Sequence, residues 1–243
     1  MLKLDILSVL FILIGLIAIA LAEGNLDLKE TIAKLHWFGQ ASFRIDNNDR
    51  HIYIDPFGLL DDSPVADIIF ITHGHGDHLS TDQIKKIADK NTLVVGPTSI
   101  EEQLKSLEIP NLKLVNPYDT LEAKQIPVEV VPAYNIKKTK YHPKENNWVG
   151  YILTVNRIKI YHAGDTERIP EMKKINCDIA LMPLGQTYTM DSVKEAAEAI
   201  MDIKPKVAIP MHYGIYEGKS EDAEKFQAYL KGHTDVVLLE MEK

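Results

Sequence analysis

The stretch from Ala66 to His78 constrains this chain more than any other. Its first seven residues, ADIIFIT, are apolar and β-branched, which predicts a buried strand, and the next six, HGHGDH, crowd three histidines and an aspartate into one loop. Neutral imidazoles and carboxylates are good ligands for Zn²⁺, and without a cation such a cluster would be poorly satisfied. The fold is therefore expected to wrap this loop around a metal ion, with Gly74 and Gly76 letting the backbone turn tightly.

Short runs rich in Ile, Val and Tyr recur along the chain and predict further strands. These runs lie at 51–55, 66–72, 92–97, 128–133, 149–155, 158–164, 178–183, 206–211 and 235–240. Helical patterns at 81–90, 98–107, 192–203 and 220–230 fall between some of them. Hairpins mixed with strand-then-helix units predict an α/β fold of two packed sheets with helices outside. Polar residues follow several strands and are expected to share one cleft: Asp55, His73, Asp165 and His212.

Two residues far from the HGHGDH loop predict a second cation. Asp165 in YHAGDT and His212 in PMHYG each follow a predicted strand. Together with the loop they exceed the four ligands of a structural tetrahedral site. Two cations about 3.5 to 4 Å apart account for them better, because such a pair can hold a bridging hydroxide while one carboxylate bridges the metals. We therefore expect two divalent ions, with Zn²⁺ favoured and Mn or Fe as alternatives.

The ordered set THGHGDH, YHAGDT and PMHYG resembles the metallo-β-lactamase fold superfamily, and IDP at 54–56 is similar to an element of that family's first sheet. The resemblance covers about 31–215 and is closest to the branch of simple metal-dependent hydrolases that includes ascorbate-lactone hydrolases. It implies a four-layer αββα sandwich with a binuclear site at one edge. It also implies that His73 and His75 bind the first metal and that Asp77 and His78 bind the second. Asp165 would then bridge the metals, and His212 would complete the second site.

The third ligand of the first metal departs from the family pattern. Relatives often place a histidine after a strand where this chain has VVPAYNIKKTKYH, and here Asn135 stands near the expected position. His142 could reach in instead, because a first-row metal prefers imidazole to a neutral amide. Otherwise the first metal is held more loosely or by an added water. In the same region, three lysines at 137, 138 and 140 could attract an anion, and Tyr134, Trp148 and Tyr188 could line a substrate pocket.

These features predict a metal-dependent hydrolase that cleaves an ester, lactone, amide or phosphodiester bond of a small-molecule or lipid substrate. Asp77 is the candidate catalytic residue, because it can also orient the hydroxide. The alternative is a membrane-tethered metal-binding or sensor protein with the same fold and little turnover, which the altered third ligand favours. The net charge of −8 argues against nucleic acid as a partner, and the single cysteine excludes an internal disulfide and a cysteine-rich zinc site.

The beginning of the chain differs from the rest. Residues 6–22 contain no charge, and their length lies between a signal-peptide core and the roughly 18 apolar residues that favour a spanning helix. Both a cleaved signal peptide and a retained anchor fit. We predict an anchor or signal peptide at 1–22, a linker at 23–30 and a metallo-hydrolase domain at 31–243. The flanking charges favour a membrane-anchored or secreted protein with its catalytic domain outside the cytoplasm.

Overall fold

The computed structural model describes residues 24 and 26–243, in which two β-sheets pack face to face. The first sheet follows chain order through six strands: β1 (Leu35–Trp37), β2 (Phe43–Asn47), β3 (Arg50–Ile54), β4 (Ile68–Phe70), β5 (Leu93–Pro97) and β6 (Asn111–Val115). Strands β1 to β3 are antiparallel, whereas β3 to β6 run parallel. The parallel strands therefore bring their carboxyl ends to one edge of the sheet.

The second sheet has seven strands, which also follow one another in chain order. They are β7 (Thr120–Ala123), β8 (Ile126–Pro132), β9 (Val149–Val155), β10 (Ile158–His162), β11 (Ile179–Pro183), β12 (Val207–Met211) and β13 (Asp235–Val236). Strands β7 to β10 form an antiparallel meander, and β10 to β13 are parallel. Asn156 and Arg157 turn β9 into β10 with φ of 49° and 69°, the backbone of a type I′ hairpin.

Apart from the first, the described helices lie between parallel strands, as the alternation of the two periodicities predicts. The helical segments are α1 (described over 26–33), α2 (Thr81–Ile87), α3 (Glu101–Lys105), α4 (Val193–Ile203) and α5 (Asp222–Leu230). Ser192 caps α4, because its side chain accepts a hydrogen bond from the Glu195 amide. The helix predicted at 98–107 is shorter than expected, since a 3₁₀ turn at Thr98–Ile100 precedes α3.

Alternate residues of β4 and its continuation face two different layers. Ile68 and Phe70 lie in the core between the sheets, where the Phe70 and Tyr151 rings are 5.0 Å apart. Ile69 and Ile71 face the opposite way and pack with residues of α2 and α3. Each of these side chains is fully buried, which stabilises the fold by about 1.5 to 3 kcal/mol per residue. The predicted αββα architecture is confirmed.

Some predicted boundaries differ from those observed. Strands β1, β2, β6 and β7 were not predicted, and residues 26–30, expected to be a linker, belong to α1. Leu28 of this helix is buried and belongs to the core between the sheets, and the Thr31 hydroxyl donates to the Asp27 carbonyl at 2.8 Å. The segment before the first sheet therefore packs as part of the folded unit.

The predicted membrane location requires correction. The anchor or signal peptide predicted at 1–22 lies outside the described residues. Within 26–243 no helix is long and apolar enough to cross a bilayer. Helix α4, for example, has 11 residues, about half of the roughly 20 that a crossing requires. The prediction of a membrane-anchored or secreted protein is contradicted by this finding.

Two buried tyrosines of the second sheet provide a matched test of the packing. The Tyr151 hydroxyl donates to the Ile71 carbonyl at 2.7 Å, whereas the Tyr161 hydroxyl has no partner among the described residues. We expect Tyr151→Phe to lower the free energy of unfolding by about 1 to 3 kcal/mol, because it leaves a buried carbonyl unpaired. Tyr161→Phe should be neutral or stabilising in the same urea denaturation experiment. Equal effects of the two substitutions would contradict this packing.

Candidate metal centre

The carboxyl ends of strands from both sheets meet at one edge, and the Asp165 carboxylate lies at their centre. Its Oδ2 is 3.2 Å from Nε2 of His142 and 3.3 Å from Nε2 of His212. Its Oδ1 is 3.4 Å from Nε2 of His78, and Nε2 of His73 is 4.0 Å from Oδ2. One buried carboxylate therefore contacts histidines that come from three separate loops.

The backbone conformation of Gly164 determines how the Asp165 side chain is directed into the cleft. Its φ is +63°, and a Cβ at this position would lie 2.9 Å from the Val149 carbonyl oxygen. Glycine adopts this left-handed backbone without a steric penalty. The chain can thus turn directly out of β10 and point the next side chain into the cleft.

All seven predicted metal ligands gather in this cleft. They form three groups whose ligand atoms lie within 4.8 Å of one another: His73 with His75 and His142, His73 with His78 and Asp165, and Asp77 with His78 and His212. Several of these buried atoms have no hydrogen-bond partner among the described residues, namely Nε2 of His78, Nε2 of His142 and Oδ1 of Asp165. Unpaired buried polar atoms are costly. A cation would satisfy them, so the residues present fit a metal ion.

His142, and not Asn135, projects into the cleft. The Asn135 amide nitrogen donates to the Tyr188 carbonyl at 2.6 Å and to the Lys138 carbonyl at 3.2 Å. Nδ1 of His142 is 3.1 Å from the same Tyr188 carbonyl. If Nδ1 carries the proton, it can donate to that carbonyl. The lone pair of Nε2, on the side of the ring that faces Asp165, is then free to bind a metal ion. The residue at the expected ligand position therefore supports the loop that carries the histidine.

A buried glutamate fixes this loop. The Glu167 carboxylate accepts the backbone N–H groups of Ile136, Lys137 and Lys138 at 2.8, 2.6 and 3.0 Å. The Lys138 ammonium donates to three backbone carbonyls of the loop after β11, and Lys137 pairs with Asp191 at 2.7 Å. Two of the three lysines that could have attracted an anion are thus engaged in holding loops together.

Glu217 does the same for the opposite side of the cleft. Its Oε1 is 2.8 Å from Nδ1 of His212. It also accepts the backbone N–H groups of Thr187 and Tyr188 and the hydroxyl of Thr189. Gly185 makes room for it, because a Cβ there would overlap the Glu217 carboxylate. Partners of this kind orient a ligating imidazole and raise its basicity.

Three side chains at the site lie on backbone that non-glycine residues rarely adopt. Gln40, Asp55 and His212 have φ of 45°, 47° and 55°. Such conformations cost on the order of 1 to 3 kcal/mol each and persist only where the surroundings fix them. Asp55 is fixed by two hydrogen bonds from Thr72 and by Nδ1 of His78 at 2.7 Å. Gln40 donates from Nε2 to Asp77 at 3.1 Å.

Burial and neighbouring charges shift the pKa values of the clustered histidines in opposite directions: some are lowered and others are raised. Burial lowers the pKa of His73 well below its usual value, which favours the neutral imidazole that metals bind. Burial also opposes the charged form of His212, but the Asp165 and Asp77 carboxylates outweigh it and raise the pKa of its imidazole to about 10. Asp165 is likewise desolvated, yet the surrounding histidines hold the pKa of its carboxyl well below the usual range. The cleft thus attracts positive charge to the place where the unpaired atoms converge.

Sequence reasoning missed Gln40, Glu167 and Glu217. Glu167 lies two residues after Asp165, and this proximity is a signal by which it could have been found. Gln40 and Glu217 are distant in sequence from the residues they contact, so the sequence carries no comparable signal for them. Gly76 lies in the predicted tight turn, because the His78 and Leu79 amides donate to the His75 carbonyl at 3.0 and 2.8 Å, although a Cβ there would meet no atom within 4 Å. His162 lies in the core, with Nε2 2.8 Å from the Ala41 carbonyl, and is not among the grouped ligands.

Comparison with known proteins agrees with this geometry. A sequence profile described as a beta-lactamase superfamily domain matches residues 34–212. The chain belongs to the beta-lactamase superfamily. A UPF0173 metal-dependent hydrolase of Thermoplasma acidophilum is 37% identical over 226 residues, which cover 86% of this chain and 96% of the relative. The chain described here is therefore a metal-dependent hydrolase, as predicted.

Solved structures show the same architecture. A protein from Parabacteroides distasonis, assigned as a metal-dependent hydrolase, is 34% identical, with a TM-score of 0.75 over 86% of this chain and 93% of that one. Igni18, a metallo hydrolase from Ignicoccus hospitalis, is 23% identical, with a TM-score of 0.69 over 86% of this chain and 95% of its own. The second likeness bears on the fold alone.

Gly185 and Gly76 allow the support of His212 to be tested. Gly185→Ala should expel the Glu217 carboxylate, which is buried and held by four groups, and should weaken metal binding by about 10- to 100-fold. Gly76→Ala lies inside the HGHGDH loop itself but meets no atom within 4 Å, so it should bind metal like the parent protein. Competition with a chromophoric chelator measures both. Unchanged affinity in Gly185→Ala, or an equal loss in Gly76→Ala, would count against this role.

Proposed function

We propose that this hydrolase holds two divalent cations, bridged by Asp165. The observation that carries the proposal is the position of this one carboxylate, which contacts His142 of one ligand group and both His78 and His212 of another. His73, His75 and His142 would hold the first ion, and Asp77, His78 and His212 the second. Zn²⁺ is favoured because imidazoles and carboxylates suit it, and Mn or Fe can use the same donors.

When bound, such a pair of ions activates a water molecule at neutral pH and stabilises the negative charge that develops on the substrate oxygen. This chemistry serves ester, lactone, amide and phosphodiester hydrolysis alike. Asp55 orients His78 by accepting a hydrogen bond from its Nδ1 at 2.7 Å, and Glu217 orients His212 through a contact of 2.8 Å with its Nδ1. Buried carboxylates that fix these rings preserve the ligand geometry while substrate enters and leaves.

Asp77 is the acidic group best placed to orient the attacking water. Its side chain lines the pocket at the cleft, and it keeps contact with solvent, unlike the buried Asp165. Burial would raise the pKa of its carboxyl, but the nearby His212 and His78 imidazoles and a hydrogen bond from Gln40 lower it well below the usual value. A carboxyl that stays ionised accepts a hydrogen bond well but takes up a proton poorly. We therefore assign Asp77 to orientation of water and not to carrying its proton.

The pocket over the cleft is small. Its volume is about 360 Å³, near the lower end of the roughly 300 to 1,000 Å³ typical of small-molecule sites. This favours a small-molecule substrate. The competing idea of a metal sensor with little turnover was motivated by the altered third ligand. His142 lies in one group with His73 and His75, which supports a third ligand for the first metal. The reason for favouring a sensor is thereby removed.

The test combines metal analysis with a hydrolase screen on the full chain. We expect about two zinc ions per chain and cleavage of at least one of an aryl ester, a lactone and a bis-aryl phosphodiester. His142→Ala should lose one ion, and Asp165→Asn should lose both. Each should lose more than about 100-fold in activity, since even partners behind the ligands contribute 10- to 100-fold.

The control is His233→Ala, an exposed histidine far along the chain from the ligands, which should retain metal and activity. One zinc ion in the parent protein, or two in Asp165→Asn, would contradict the bridged pair. Two ions without hydrolysis of any substrate class in the screen would instead contradict the assigned reaction.

A further inference from the structure

The pocket at the cleft has a floor and a wall of different chemistry. The floor consists of proposed metal ligands. The wall consists of Tyr141, Tyr188 and Tyr216, which lie on three different loops. We propose that these three tyrosines bind an aromatic group of the substrate beside the bond that is cleaved. This inference rests on the proposed function, because the floor must hold the reacting group.

The tyrosines form a corner that suits a flat ring. The Tyr141 and Tyr188 rings are perpendicular, at 90°, with centroids 4.9 Å apart. Tyr216, on the loop after β12, packs against Phe57 at 6.0 Å and is 57% exposed. Aromatic rings prefer edge-to-face or offset stacked contacts. An aromatic ring of the substrate that enters this corner can make an edge contact with one tyrosine and a face contact with another.

Charge separates the wall from the floor. Among the described residues that line the pocket, the only carboxylates are Asp77 and Asp165, and both face the histidine groups. The Lys140 ammonium lies 4.5 Å from the centroid of the Tyr141 ring but does not line the pocket. A neutral ring is therefore matched to the wall, whereas the polar reacting group is matched to the floor.

The wall is also coupled to the metal ligands through the backbone. Tyr141 precedes His142, and the Tyr188 carbonyl contacts Nδ1 of that histidine at 3.1 Å. Glu217, which contacts His212, follows Tyr216 and accepts the Tyr188 amide. The distance between the ring site and the reacting group is thus fixed by the same hydrogen bonds that orient two ligands. This gives the pocket a means of selecting substrates by the spacing between ring and scissile bond.

Phosphonates allow this ring site to be tested without knowing which bond is cleaved. Isothermal titration calorimetry of the zinc-loaded full chain should compare phenyl-, cyclohexyl- and methylphosphonate, whose shared oxyanion binds at the floor. We expect phenylphosphonate to bind about 10-fold more tightly than methylphosphonate, given the usual strength of contacts with two rings, and more tightly than the cyclohexyl compound. Tyr188→Ala and Tyr216→Ala should each reduce the phenyl-to-methyl affinity ratio several-fold.

The control is Tyr229→Ala, because this tyrosine is similarly exposed, at 48%, but lies on α5 outside the pocket. It should keep the parent ratio. A ratio near one, equal binding of the phenyl and cyclohexyl compounds, or an unchanged ratio in both pocket variants would overturn the ring site alone. Failure of every phosphonate to bind in a zinc-dependent manner would overturn the proposed function and this inference together.

Discussion

The contact between the buried Asp165 carboxylate and its ring of histidines is the interaction on which the rest of the site depends. A carboxylate removed from water is tolerated only when positive charge and hydrogen-bond donors compensate it. Here Nε2 atoms from three loops lie 3.2 to 3.4 Å from its two oxygens. In the metal-loaded protein, divalent ions would take over this compensation. The cluster therefore has the chemistry of a candidate metal site.

The two-sheet architecture explains how residues so distant in sequence meet. Parallel strands of each sheet end at the same edge, so β4 delivers the HGHGDH loop from one sheet while β10 and β12 deliver Asp165 and His212 from the other. The apolar layer between the sheets holds the two edges at a fixed separation. Strained backbone at Asp55 and His212 shows that these positions are set by their contacts and not by local preference.

The sequence revealed those parts of the site that rest on local spacing. The HGHGDH loop could be identified because its ligands are contiguous, and Asp165 and His212 because each follows a recognisable strand. The role of His142 as a ligand remained open, because its position depends on a loop whose conformation Glu167 fixes by accepting three backbone N–H groups. Glu217 could not be predicted, since its role depends on the space left by Gly185, and neither could Gln40, which contacts Asp77 across 37 positions of sequence.

Anomalous diffraction from crystals of the zinc-loaded protein, measured just above the zinc absorption edge, would locate the ions themselves. If Asp165 bridges two ions, two anomalous peaks are expected about 3.5 to 4 Å apart, with one oxygen of Asp165 ligating each ion and His142 ligating the ion shared with His73 and His75. A single peak, or two peaks with Asp165 bound to neither, would contradict the bridged pair.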